Sequence, residues 1–151
     1  MPRVLVIGFG NPGRRDDGLG PALADRLEIL GRMDLTVEAD YQLSVEHAEL
    51  AARHDVVVFV DAAADVGVDR PYYLRRVDAS PDTSYSSHAL SPSAVLHLAA
   101  ECFGCRPRGW LLGIRPADID SFAEGLTPEG QAHLESALGA FLSALDSNEM
   151  V

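Results

Sequence analysis

Residues 3–20 have the sequence RVLVIGFGNPGRRDDGLG, and this stretch determines the fold class. It opens with an apolar run over residues 3–8 that ends at a glycine, which is typical of a strand buried on both faces. A polar, glycine-rich loop follows. Residues 18–30 then place leucines on one helical stripe, at Leu19, Leu23, Leu27 and Leu30. A strand, a loop and a helix in this order begin an α/β domain.

The rest of the chain continues the alternation of strands and helices. We predict further strands at residues 35–39, 56–60, 72–77 and 109–114, with the 72–77 strand near an edge. We predict further helices over residues 44–53 and from two Ser/Thr-Pro start signals, Ser91-Pro92 and Thr127-Pro128. This order predicts one α/β domain over residues 1–151, with a twisted, mostly parallel sheet of about five strands and helices on both faces. Ligands of such sheets bind at the carboxyl ends of the strands.

Composition excludes several classes of partner. The 151 residues include 12 Lys and Arg against 23 Asp and Glu, a formal net charge of −11. This charge repels phosphate backbones and anionic lipids, so we expect no nucleic-acid and no membrane partner. No apolar run approaches the roughly 18 residues that span a bilayer. Two cysteines make no disulfide framework and the N-terminus is a poor secretory signal, so we expect a cytoplasmic protein.

The first loop matches the G-x-G-x-x-G dinucleotide fingerprint over residues 8–13. A dinucleotide site needs its helix to start among the glycines, so that the helix N-terminus meets the pyrophosphate. Here Pro12 and five more residues come before Gly18, and Asp16 and Asp17 place carboxylates where phosphates would bind. A Rossmann-type dinucleotide-binding module stays open as an alternative, with Gly8, Gly10, Gly13 and Asp40 as its residues.

Three side chains from separate segments suggest a metal site at the carboxyl edge of the sheet. Asp17 follows the first strand and is expected either to cap the helix from Gly18 or to bind a cation. Asp61 comes directly after the apolar run at 56–60, where a carboxylate should face the cleft. His88 is the histidine whose loop can return to the same edge. Two carboxylates and an imidazole suit nickel or zinc, with a position left for substrate or water.

Two other patterns carry less chemistry. Cys102 and Cys105 have C-x-x-C spacing, but Cys102 falls at the C-terminal end of a predicted helix, where a thiol gains no activation. A second pair of zinc ligands is not apparent, so we interpret these cysteines as structural or incidental. The sequence contains no G-x-S-x-G elbow, so a serine-hydrolase function has no support.

Taken in order, the motifs resemble those of the nickel–iron hydrogenase maturation endopeptidases. The resemblance begins with the G-x-G-N-x-x-x-x-D-D-G-x-G pattern over residues 8–20 and covers nearly the whole chain. Its later parts are Asp40, Asp61, His88, Gly113-Ile114 and Gly125-Leu126-Thr127-Pro128. The resemblance implies a peptidase without an organic cofactor that removes the C-terminal extension of a hydrogenase large-subunit precursor. It also implies that nickel, already inserted into that substrate, is the recognition element.

The resemblance further assigns residue roles. It implies metal contacts at Asp17, Asp61 and His88, although some family members carry Glu at the first of these positions. Asp16 or Asp40 is expected to serve as general base, unless Asp16 only ties down its loop. Residues 40–47 (DYQLSVEH) and 87–92 (SHALSP) look most like members that serve soluble NAD(P)-coupled hydrogenases. A non-catalytic nickel or precursor chaperone with the same three ligands is a second alternative.

Overall fold

Alternating strands and helices are present throughout the computed structural model, which describes residues 2–81 and 89–150. The strands are β1 (Val4–Phe9), β2 (Leu35–Asp40), β3 (Val56–Ala62), β4 (Tyr72–Val77) and β5 (Arg108–Ile114). The helices are α1 (Leu19–Leu30), α2 (Val45–Ala51), α3 (Pro92–Phe103) and α4 (Pro128–Asp146). A short 3₁₀ turn, Arg15–Gly18, precedes α1.

The five strands form one sheet in the order β2-β1-β3-β5-β4. Neighbours β2, β1, β3 and β5 are parallel, whereas β4 pairs with β5 in the antiparallel sense at the edge. The predicted single-domain, mostly parallel α/β fold is therefore confirmed. The chain leaves β1 for β2 on one side and returns to β3 on the other side. This reversal makes the carboxyl ends of β1 and β3 the expected place for a ligand.

The core has two layers, one on each face of the sheet. Val4 and Val6 of β1 pack with the apolar stripes of α1 and α4. Leu5 and Ile7 point to the opposite face, where α2 and α3 cover the sheet. The same alternation along β3 places Val57 and Phe59 on the α2–α3 face, and Asp61 continues that series because successive side chains alternate.

Three helix starts agree with their sequence signals. The Ser91 hydroxyl accepts a hydrogen bond from the Ala94 N–H at 3.1 Å, and the Thr127 hydroxyl accepts one from Gly130 at 3.0 Å. At α2, the Ser44 N–H donates to Nδ1 of His47 at 2.9 Å, which completes a capping box. These bonds satisfy N–H groups that the first turn of a helix leaves without partners.

The expected Asp17 cap is wrong. Residue Gly18 precedes α1 and the helix has no side-chain cap, because the 3₁₀ turn Arg15–Gly18 intervenes. The Asp17 carboxylate turns back instead and accepts a hydrogen bond from the Asn11 N–H at 2.8 Å. Asp17 therefore fixes the loop after β1 rather than the N-terminus of α1.

Strand β3 extends two residues beyond the predicted range. It pairs with β5 through Asp61 opposite Gly113 and Ala62 opposite Ile114, so Asp61 belongs to the strand end itself. His88 belongs to residues 82–88, which lie outside the described residues. In the two described stretches, no helix has the length and apolar character to cross a membrane.

Candidate active site

The loop after β1 is positioned by close approach of main chains. A Cβ atom on Gly8 would collide with the carbonyl oxygen of Gly20 in α1. Gly10 has a φ of +143° and passes so close to Asp17 that a Cβ atom there would collide with the Asp17 carbonyl oxygen. The glycines of the fingerprint thus bring main chain against main chain, and this packing presents Asp17 at the carboxyl edge.

Asp17 offers one carboxylate oxygen to the cleft. Its Oδ2 accepts the Asn11 N–H, and its own N–H donates to the Arg14 carbonyl at 3.1 Å. No described residue donates a hydrogen bond to its Oδ1. A partly buried carboxylate held at one oxygen is well placed to bind a cation or a donor with the other.

Asp61 lies close enough to Asp17 for the two charges to interact. Burial of its carboxyl group, reinforced by the negative charge of Asp17, raises the pKa of Asp61 to about 7 from its ordinary value of 3.8. Two carboxylates that share a site cannot both ionise freely. Asp61 can therefore take up or release a proton near neutral pH, and the two carboxylates attract a cation that would relieve their repulsion.

A tyrosine, which the sequence reasoning missed, forms one wall of this site. Asp61 pairs with Gly113 of β5, and Gly113 pairs with Tyr73 of β4, so the three residues form one row across the sheet. A Cβ atom on Gly113 would lie 2.6 Å from the Tyr73 ring, which therefore lies over the glycine. A glycine inside the predicted strand 109–114 was the available signal, because such a residue often marks a close approach.

Tyr73 is held in place by charged neighbours. Its hydroxyl donates to Asp65 at 2.9 Å, and the Arg75 guanidinium lies 4.1 Å from the ring centroid. Arg75 also pairs with Asp65 at 3.3 Å. Burial and the hydrogen bond to Asp65 raise the pKa of Tyr73 to about 12, so the phenol stays protonated at neutral pH.

Asp16 is a buried anchor with no free oxygen. Its Oδ2 accepts hydrogen bonds from the Ala117 N–H at 2.7 Å, the Asp118 N–H at 3.2 Å and the Thr127 hydroxyl at 2.7 Å. Its Oδ1 accepts the Thr127 N–H at 2.8 Å. Burial by itself would raise the pKa of Asp16, but these hydrogen bonds outweigh it and hold the pKa below 3.8. These contacts favour the second role that we expected for Asp16, which is to tie down its loop, over that of general base.

Asp40 lies apart from the Asp17–Asp61 pair. It ends β2, which is separated from β3 by β1, a spacing of roughly 10 Å. One oxygen accepts the Tyr41 N–H at 2.7 Å and the other lies 3.6 Å from Nε2 of His47. Since Nδ1 of His47 accepts the Ser44 N–H, the ring proton of a neutral His47 is on Nε2 and faces Asp40. Asp40 also lines a groove of about 360 Å³ beside α2.

His88 lies outside the described residues, so its predicted role as a third ligand stays a prediction. Leu90, two positions later, donates its N–H to the Leu43 carbonyl at 3.2 Å. Across residues 2–81 and 89–150, no cluster of three or more His, Cys, Asp or Glu side chains is arranged to hold a metal ion. The C-x-x-C cysteines, Cys102 and Cys105, are exposed free thiols at the C-terminal end of α3.

The site has poor geometry for a dinucleotide. A pyrophosphate would need the N–H groups of the first loop, but Asp17 already accepts the Asn11 N–H and Asn11 Oδ1 accepts the Gly13 N–H at 2.9 Å. The first α-helical residue is Leu19, well beyond the glycines. The Rossmann alternative therefore fails on its own requirement for a helix N-terminus at the phosphates.

The fold is the α/β fold of the hydrogenase maturation endopeptidases. The hydrogenase maturating endopeptidase HybD from E. coli is 26% identical, with a TM-score of 0.76 over 97% of this chain and 93% of that one. The hydrogenase maturation protease HycI from Thermococcus kodakarensis KOD1 is 23% identical, with a TM-score of 0.75 over 96% and 93%.

A third solved structure, the hydrogenase 2 maturation peptidase from a Thaumarchaeota archaeon, is 22% identical, with a TM-score of 0.70 over 95% of this chain and 98% of that one. No protein-family model matches the sequence, and no curated protein matches it significantly. The similarity to HybD over nearly the full length of both chains identifies this chain as a peptidase.

Proposed function

We propose that this protein is an endopeptidase that removes the C-terminal extension of a nickel–iron hydrogenase large-subunit precursor. The observation that carries the proposal is the pairing of Asp17 with Asp61 at the carboxyl ends of β1 and β3. This pair lies in a fold whose solved relatives include the hydrogenase maturating endopeptidase HybD from E. coli. The nickel belongs to the substrate in this proposal, and the protein needs no organic cofactor.

In the proposed mechanism, Asp17, Asp61 and His88 complete the coordination of the nickel that the precursor already holds. Oxygen and imidazole ligands without a thiolate bind a borderline metal only moderately, so recognition depends on ligands that the substrate supplies. Binding of the metal displaces the proton that Asp61 carries near neutral pH, because a ligating carboxyl group must be ionised. The docked metal then orients the scissile peptide bond beside the site, which is a proximity effect.

Asp40 is the proposed general base. Its carboxylate is about half exposed at the same edge of the sheet, and the buried His47 faces it. Water adds to the scissile carbonyl carbon while the base accepts a proton from that water. The proton then passes to the leaving amine as the C–N bond breaks.

The nickel dependence is tested with a nickel-loaded and a nickel-free precursor, each incubated with the wild-type protein and followed by intact mass. We expect loss of the C-terminal extension from the nickel-loaded form alone. Equal cleavage of both forms would contradict recognition of nickel. Binding of the precursor without any loss of mass would instead support the non-catalytic chaperone.

Two finer proposals rest on sequence. The resemblance of residues 40–47 and 87–92 supports a substrate from a soluble NAD(P)-coupled hydrogenase, and we propose a cytoplasmic location. Precursors of a soluble NAD(P)-coupled enzyme and of a membrane-bound hydrogenase test the first point directly. Faster processing of the membrane-bound enzyme's precursor would contradict it.

A further inference from the structure

The loop between β5 and α4 is fixed in place by the segment that carries Asp17. The Arg15 N–H donates to the Ala123 carbonyl at 2.9 Å and the Asp16 N–H donates to the Asp118 carbonyl at 2.8 Å. Asp118 also accepts the Ser121 hydroxyl at 2.6 Å. A loop held by this many hydrogen bonds presents its side chains in a defined arrangement rather than as a mobile tip.

This ordered loop exposes a large aromatic side chain. The side chain of Phe122 is 87% exposed. The guanidinium of Arg14 lies 5.3 Å from the centroid of its ring. We call these two residues the Phe122–Arg14 patch. Aromatic side chains and arginine are both enriched at protein–protein interfaces.

The Nε–H group of Arg14 has no hydrogen-bond acceptor among the described residues. Its Nε is buried and donates to no partner, and it is the one buried side-chain nitrogen or oxygen without a partner in the described part of the chain. No carboxylate of the described residues forms an ion pair with it, although the chain holds 23 acidic residues. Because this Nε has no accessible surface, a docking partner can reach Arg14 only at the outer part of its guanidinium, beside the Phe122 ring.

The patch is continuous with the proposed active site. The Arg14 carbonyl accepts the Asp17 N–H at 3.1 Å, so the two residues are linked across one turn of the main chain. Arg14 therefore lies one turn of the main chain from Asp17, and its guanidinium contacts Phe122. Those two residues form a cationic and apolar point on a chain whose net charge is −11.

We propose that the Phe122–Arg14 patch docks the same folded precursor that is processed at Asp17 and Asp61. Phe122 inserts into an apolar recess of the precursor, and the terminal N–H groups of the Arg14 guanidinium donate to a carboxylate or main-chain carbonyl oxygen of that polypeptide. This inference rests on the proposed function. It adds a recognition surface that does not depend on the metal.

The test compares Phe122→Ala and Arg14→Lys with the wild-type protein on the nickel-loaded precursor, with kcat, KM and the Kd for the precursor measured separately. Lysine keeps the charge of Arg14 but lacks the planar guanidinium that lies over the Phe122 ring. The matched control is Met33→Ala, because Met33 is 100% exposed and precedes β2, at the opposite edge of the sheet. Urea unfolding of each variant checks that the fold is intact.

We expect both patch variants to raise KM and Kd about tenfold with kcat changed less than about twofold, and Met33→Ala to change none of them. If Phe122→Ala and Arg14→Lys bind the precursor as tightly as Met33→Ala while the wild type still cleaves it, the docking proposal is overturned and the proposed function stands. If the wild type neither binds nor cleaves the precursor, the proposed function fails and the docking surface fails with it.

Discussion

Thr127 donates two hydrogen bonds to Asp16, from its main-chain N–H at 2.8 Å and from its hydroxyl at 2.7 Å. The same hydroxyl accepts the Gly130 N–H and so caps α4. One pair of residues, 111 positions apart in sequence, therefore joins the loop that carries Asp17 to the start of the last helix. The geometry of the site depends on this buried contact as well as on the carboxylates that face the cleft.

Replacing Asp16 with Asn should destabilise the fold by about 2–4 kcal/mol, because an amide nitrogen would face donors that now share a carboxylate. Urea unfolding at neutral pH measures this change. Asp17→Asn is the matched control, since Asp17 is only partly buried and accepts one hydrogen bond among the described residues. Similar unfolding free energies for the two variants would contradict the anchoring role of Asp16.

Acid should weaken the same anchor. The pKa of Asp16 is held below its unfolded value of 3.8, so the stability that this carboxylate contributes is complete above that pH. It is lost as the pH falls through the lower pKa of the folded state. Asp16→Asn should therefore remove part of the acid sensitivity seen in a pH series of urea unfolding. Parallel acid profiles for the wild type and the variant would contradict this prediction.

Asp61 should change the pH dependence of stability in the opposite direction to Asp16. Its pKa is about 7 in the folded protein against an ordinary value of 3.8, so the folded state holds a proton that the unfolded state releases between these values. Stability should fall as the pH rises through this window, by at most about 1.4 kcal/mol per pH unit and less where solvent screens the site. Asp61→Asn should flatten the slope between pH 4 and 7. An unchanged slope would contradict the burial and charge coupling of Asp61.

Gly113→Ala tests the row that joins Asp61 to Tyr73. The added methyl group would lie 2.6 Å from the Tyr73 ring. We therefore expect the free energy of unfolding to fall by about 1–3 kcal/mol and the precursor to be processed more slowly. Gly139→Ala in α4 is the control, because no atom lies within 4 Å of its added Cβ and alanine favours a helix by about 0.5–1 kcal/mol. We expect Gly113→Ala to lower the free energy of unfolding and Gly139→Ala to raise it. Gly113→Ala that is as stable and active as the wild type would contradict a wall at Tyr73.

Asp40→Asn tests the proposed general base. We expect kcat to fall about a hundredfold or more while KM for the precursor changes little, since such groups act mainly in the transition state. His47→Gln should have a smaller effect in the same direction, because His47 only faces Asp40. Steady-state kinetics on the nickel-loaded precursor separate the two parameters. A kcat within twofold of the wild type for Asp40→Asn would contradict the assignment.

Local signals in the sequence predicted the elements of the fold well. Ser91-Pro92 and Thr127-Pro128 start helices as their side chains and prolines indicate, because capping depends on residues within one turn. The apolar run before Asp61 likewise placed that carboxylate at the carboxyl edge of the sheet. Such features require no knowledge of how distant segments meet.

Contacts between segments distant in the chain could not be predicted from local sequence patterns. The hydrogen-bond partners of Asp16 lie about a hundred residues away, and nothing near Asp16 distinguishes it from its neighbour Asp17. The position of Tyr73 beside Asp61 depends on the register of an antiparallel edge strand, which the apolar pattern of β4 does not specify. The side chain of Asp17 turns toward Asn11 because residues Arg15–Gly18 form a 3₁₀ turn. From the sequence alone, an aspartate just before a helix looks like its N-cap.

The central claim is tested most directly by the intact mass of a nickel-loaded large-subunit precursor after incubation with the protein. The account predicts that the wild type releases one C-terminal peptide and leaves a shortened subunit. The double variant Asp17→Asn with Asp61→Asn should leave the mass unchanged while remaining folded. An unshortened precursor with the wild type, or equal shortening by the double variant, would contradict a peptidase that acts through this pair of carboxylates.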